Sequence, residues 1–127
     1  MRALIIREPW ISEILAGTKQ WEIRMFNTRI RGRIGLIRSG SGLIVGTAEL
    51  CDAFELHQST AKRAMEKHGM TAKEIRNLFS THNTLARIFP YAWVLKDPSP
   101  LAKPIPYRHP RGAITWVTIP EFPIASA

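Results

Sequence analysis

The chain has 127 residues, long enough for one domain with a substantial hydrophobic core and too short for two. Its 45% hydrophobic and 22% charged residues exclude a generally disordered chain, while 18 Lys and Arg against 10 Asp and Glu give a formal charge of +8 and bias it towards polyanions such as RNA, DNA or nucleotides. Cys51 is the single cysteine, which excludes an internal disulfide; with no export signal and no run near the roughly 20 apolar residues of a membrane helix, a reducing cytoplasmic setting is expected.

The aliphatic run Ala3-Leu4-Ile5-Ile6 predicts a buried first strand, ended by Glu8-Pro9 because proline restricts the residue before it and cannot continue a ladder. In Trp10-Ile11-Ser12-Glu13-Ile14-Leu15-Ala16 the apolar residues share one helical face, and Gly17 supplies a terminator. Residues 20–25 alternate: Trp21, Ile23 and Met25 point one way, into a core, so Gln20, Glu22 and Arg24 project together towards a cleft or solvent. Lys19, just before this strand, reaches the same side.

Residues 32–38 and 43–50 read as an antiparallel pair joined by Ser39-Gly40-Ser41-Gly42. Helices are predicted over 59–68, closed by Gly69, and over 71–82, where Thr71-Ala72-Lys73-Glu74 matches a capping box. Strand character returns at 91–95 and 113–119, separated by a proline-rich connector over 98–110; residues 120–127 form a loose tail. Strands at both ends of the chain flank the helices, so a single α+β domain spanning 1–127 is expected, built around a curved or closed sheet.

Lys19, Glu22 and Arg24 form the sharpest cluster. Two cations suit a phosphate or a polarised carbonyl, and the carboxylate suits a base amino group or work as a general base. The plainer reading is a local ion pair of Lys19 with Glu22. No acid lies between Glu22 and Glu49, whereas Arg24, Arg29, Arg31, Arg33 and Arg38 all do. In an extended segment Arg29, Arg31 and Arg33 share one face that can follow a phosphate backbone, although a solvated basic face has the same pattern. Trp10 either offers a stacking face to a base or plugs the sheet, whereas Trp21, Trp93 and Trp116 read as core. Arg38 and Ser39 offer a cation and a hydroxyl, unless the glycine-serine tetrad is only a turn. The four histidines are too scattered for a zinc motif and the tetrad lacks a P-loop ending, so neither metal nor cofactor is expected. Cys51 reads as a buried thiol.

Together these residues resemble the ASCH (activating signal cointegrator homology) domain of the PUA-like superfamily. The likeness rests on Pro9-Trp10, then Gly17, Lys19, Glu22 and Arg24 in a G-x-K-x-x-E-x-R pattern, then Arg31-Gly32-Arg33. It continues through Val45-Gly46-Thr47-Ala48-Glu49-Leu50, Tyr91-Ala92-Trp93-Val94-Leu95, Pro104-Ile105-Pro106 and Arg111-Gly112. The resemblance implies a PUA-like mixed or antiparallel β-barrel with a helix after the first strand and a helical insertion over 53–90. It also implies a basic cleft that binds RNA, single-stranded DNA or a modified nucleoside. The candidate ligand-binding set is Trp10, Lys19, Glu22, Arg24, Arg29, Arg31, Arg33, Arg38 and Ser39.

The family suggests an alternative. One bacterial branch is an amidohydrolase acting on N4-acetylcytidine, and ribonuclease activity has been attributed to other members. In the amidohydrolase the motif lysine works with a threonine three positions later and a glutamate further on. Lys19 fits this scheme, but Glu22 stands at the threonine position, and Glu66, with His68 close by, lies only in the general region of the downstream glutamate. A hydrolase would use Lys19 and Glu22, the carboxylate activating water and the ammonium holding the oxyanion. The binding module is favoured, and a protein-interaction adaptor is the third reading.

Overall fold

A computed structural model describes residues 1–121; of the tail, residues 122–127 lie outside the described residues. The elements in chain order are β1 (Arg2–Ile6), α1 (Trp10–Leu15), β2 (Trp21–Arg24), β3 (Gly32–Arg38), β4 (Leu43–Glu55), α2 (Gln58–Arg63), α3 (Met65–His68), α4 (Ala72–Leu78), α5 (Thr81–Leu85), β5 (Tyr91–Pro106) and β6 (Trp116–Thr118).

The strands form one mixed sheet in the order β2-β5-β4-β3-β1-β6. Only β1 and β3 run parallel; the other neighbours are antiparallel, including β3 and β4 across the predicted turn. The sheet curls into a half-barrel. Arg24, on the edge strand β2, donates to the Ile5 carbonyl of β1 at 2.7 Å, although three strands separate β2 from β1 in the order. Trp93 of β5 likewise stacks on Trp116 of β6, with ring centroids 5.8 Å apart.

β1 is apolar from Ala3 to Ile6 because both its faces are covered there. Leu4 and Ile6 enter a cluster with Ile11 and Ile14 of α1, Leu36 and Trp93, while Ala3 and Ile5 enter a second with Ile37, Ile44, Leu101 and Val117. Helix α1 comes closest to β4 at Gly46. A Cβ at Gly46 would collide with Leu15 Cδ2 and lie 2.9 Å from the Ser99 carbonyl oxygen. Gly17, at φ 82°, stops α1 where the sequence predicts.

Several expectations are corrected. β5 does not end at Leu95 but runs through the prolines to Pro106. β2 pairs only with its first part, so Pro98, Pro100, Pro104 and Pro106 lie where β5 has a single strand neighbour and bulged register, positions that tolerate a missing N–H. The predicted helix over 59–68 breaks at Ala64. There the His68 ring Nε2 bonds the Ala61 carbonyl at 2.7 Å, an acceptor a continuous helix would offer to Met65. The helix over 71–82 carries its capping box but ends at Leu78, and Ser80 caps a new helix by accepting from Asn83 N–H. Cys51 is exposed on β4 rather than buried, its Sγ 3.4 Å from the Val94 carbonyl oxygen.

The alternation of β2 is realised with a twist. Trp21 and Ile23 face a third apolar cluster formed by Leu56, Ala61, Met70, Ile75 and Ala92, while Glu22 and Arg24 face the inside of the curl. Met25 lies past the end of β2 and is exposed, outside that apolar set. Among the described residues no helix is long and apolar enough to cross a membrane.

Candidate functional site

The inside of the curl opens as a cleft of about 690 Å³. It is lined by Lys19, Glu22, Ile23 and Arg24, by Met70, and by Glu74 and Leu78 of α4. Arg7 and Trp10 at the β1–α1 junction, the 39–42 loop, and Tyr107, His109 and Ile114 beyond β5 line it as well.

Lys19 is only 3% exposed. The Gly17 stop turns the chain so that Thr18 and Lys19 N–H groups both bond the Glu13 carbonyl, which aims the lysine back under α1. Its Nζ donates to the His68 carbonyl at 2.5 Å, lies 4.9 Å from the centre of the Trp10 ring and 3.9 Å from Glu22 Oε1. Burial holds its ammonium below the ordinary lysine range, against the opposing charges of Glu22, Glu13 and Glu74.

Glu22 is 5% exposed, and Arg24 grips its Oε2 twice, from Nε at 3.1 Å and Nη2 at 2.9 Å. The guanidinium also lies 5.8 Å from the Trp93 ring centre and donates to Ile5, so it is anchored on three sides. Glu22 Oε1 accepts no hydrogen bond among the described residues.

Of the candidate ligand-binding residues, Trp10, Lys19, Glu22, Arg24 and Ser39 line the cleft, and Arg29, Arg31, Arg33 and Arg38 do not. Arg31 lies 4.0 Å from Asp52, Arg33 lies 3.8 Å from Glu49 and donates to the Asp97 carbonyl, and Arg38 donates to Glu8 at 3.2 Å. Arg29 is exposed. Arg29 and Arg31 precede β3, so the three arginines do not alternate along one strand. Glu66 is exposed outside the cleft. His68 is fully buried; its Nδ1 accepts from Met70 N–H while Nε2 faces the Ala61 carbonyl, so it holds the helices rather than facing a ligand.

Arg7, Glu74, Tyr107 and His109 line the cleft without having stood out in the sequence. Glu74 is visible there only as the partner of Thr71 in the capping box, which it completes by accepting from Thr71 N–H at 3.0 Å. Tyr107 and His109 are hidden in the proline-rich connector. His109 Nε2 faces the Ala113 carbonyl at 2.9 Å and so carries the proton, leaving Nδ1 to accept from the Tyr107 hydroxyl at 2.7 Å. Burial raises the Tyr107 phenol above its ordinary range, which keeps it a donor.

A small α+β domain whose mixed sheet curls around such a cleft has the architecture of PUA-like proteins. The sequence model of the ASCH domain matches residues 4–103, and the chain belongs to the ASCH domain family. Its fold is similar to that of crystal structures of an ASCH protein from Zymomonas mobilis. A Tyr-to-Phe variant of that protein superposes with a TM-score of 0.70 at 16% identity, over 94% of this chain and 90% of that one. The unsubstituted protein gives 0.69 at 16% identity, over 94% and 87%. A Ser-to-Ala variant gives 0.64 at 17% identity, over 94% and 88%. Comparison with curated proteins gave no match.

Proposed function

We propose that the chain binds single-stranded nucleic acid or a modified nucleoside, with one base in the cleft and its polar edge against Glu22. The observation that carries this reading is the state of the carboxylate: buried, held by Arg24 through Oε2, and left with Oε1 free of hydrogen-bond donors among the described residues. An exocyclic amino group donating to Oε1 completes its hydrogen bonding, and the half-buried Trp10 ring, which also lines the cleft, offers a stacking surface. The cleft volume lies within the range of small-ligand sites. A cytoplasmic setting, RNA or single-stranded DNA as partner, and the residues 53–90 as an insertion that supplies one wall all fit this reading.

The test is calorimetric titration of short single-stranded RNA and DNA and of free nucleosides. Glu22→Gln should weaken binding at least tenfold, whereas Arg33→Ala, outside the cleft, should leave it within twofold. Unchanged affinity in Glu22→Gln would refute the assignment.

Hydrolysis is the second reading, favoured by a lysine whose ammonium is held below its ordinary range and by a second carboxylate, Glu74, on the cleft wall. Glu74 then takes the place of the downstream glutamate of the amidohydrolase branch, with Glu22 activating water and Lys19 stabilising the oxyanion. Incubation with N4-acetylcytidine and with single-stranded RNA tests it. Turnover surviving both Lys19→Ala and Glu22→Ala would sink the reading.

A further inference from the structure

We propose that the mouth of the cleft is a phosphate site built by Arg7, Ser39 and the Gly40 backbone, so that the ligand is phosphorylated rather than a free nucleoside. The proposal rests on the base-binding reading of the same cleft. Ser39 N–H donates to the Ile6 carbonyl at 2.9 Å, which ties the start of the 39–42 loop to the residue before Arg7, and both line the cleft.

These groups are free to bind. Among the described residues the Arg7 guanidinium has no hydrogen bond or ion pair, the Ser39 hydroxyl has no partner, and Gly40 N–H has no acceptor. Arg24 and Lys19, by contrast, already face Glu22. Arg38, the cation the sequence places beside Ser39, is held by Glu8.

Glu8 is the acid nearest in sequence to Arg7, and it is engaged elsewhere. Its carboxylate accepts from Ser12 Oγ at 2.7 Å and 2.8 Å and from Arg38 Nε at 3.2 Å. A guanidinium fork, a hydroxyl and a backbone N–H are the donors that tetrahedral phosphate oxygens take. Gly40 adopts φ 79° and carries no side chain, which lets an anion approach the loop backbone. Glu22 at the inner wall repels an anion, so the phosphate stays at the mouth and the base points inwards.

The first measurement is a ¹⁵N-resolved NMR titration with inorganic phosphate. The Ser39 and Gly40 amides and Arg7 Nε should shift, and the amide shifts should vanish in Arg7→Ala. The second is calorimetry with the four common ribonucleosides, their 5′-monophosphates and a dinucleotide, whose single phosphate is a diester. Monophosphates should bind at least tenfold tighter than nucleosides if a terminal phosphate is taken, and the dinucleotide should show that preference if a strand backbone is.

Arg7→Ala should cut either preference below twofold, with Arg7→Lys in between because it keeps the charge without the fork. Equal binding with and without phosphate, or a preference that survives Arg7→Ala, overturns the phosphate site. Glu22→Gln separates the two readings: it should weaken nucleosides and nucleotides alike. If it weakens neither while Arg7→Ala removes the phosphate preference, the base reading fails and the phosphate site stands.

Discussion

Taking the carboxylate away from Glu22 would leave the buried Lys19 ammonium beside Arg24 without its nearest counter-charge. Removing one partner of a buried ion pair costs about 3–5 kcal/mol, so Glu22→Gln should lower the denaturant midpoint as well as ligand affinity. Lys19 itself carries a signed dependence on pH. Burial lowers its pKa in the folded chain, so between that value and the ordinary lysine value of about 10.4 the unfolded chain binds more protons and stability rises with pH. Lys19→Met lacks this gain. Wild type should therefore improve relative to Lys19→Met as calorimetric melts move from pH 7 towards pH 10, and a constant difference in Tm would contradict the burial argument.

Two elements place these residues. Helix α1 packs closely over β4 at Gly46, where a side chain would meet Leu15 and the Ser99 carbonyl. Gly46→Ala should destabilise by about 1–3 kcal/mol through overpacking, measured by urea unfolding, and should loosen the junction that aims Lys19. Helix α4 carries Glu74 and Leu78 to the cleft, and its start is closed by Thr71 accepting from Glu74 N–H at 3.1 Å. Thr71→Ala should cost about 1 kcal/mol and raise amide hydrogen exchange along Ala72–Leu78, with little effect on β2.

Across the whole molecule the count of 18 Lys and Arg overstates the unpaired cations that can meet a polyanion. Arg31, Arg33 and Arg38 lie against Asp52, Glu49 and Glu8. Arg29 is exposed and has no ion pair among the described residues. In a salt titration of RNA binding, Arg29→Ala should therefore reduce the slope of log K against log salt by about 0.7, one contact on a single strand, and Arg33→Ala should leave it unchanged. Equal changes in the two variants would show that the pairing with Glu49 is irrelevant to binding.

The alternation that turns Glu22 and Arg24 to one side, the Gly17 stop and the Thr71 cap were legible in the sequence because each follows from backbone geometry over a few neighbouring residues. The G-x-K-x-x-E-x-R pattern was legible as a likeness to the ASCH family. Only tertiary structure decided which charges meet. Arg33 meets Glu49 because the β3–β4 register sets the two opposite, and Arg24 reaches Ile5 because the sheet curls. Arg7, Glu74 and the Tyr107–His109 pair lie far apart in the chain and share a cleft through that same curl. Local periodicity determines which way a side chain points, whereas strand register and sheet closure, built from many non-local contacts, determine what it points at.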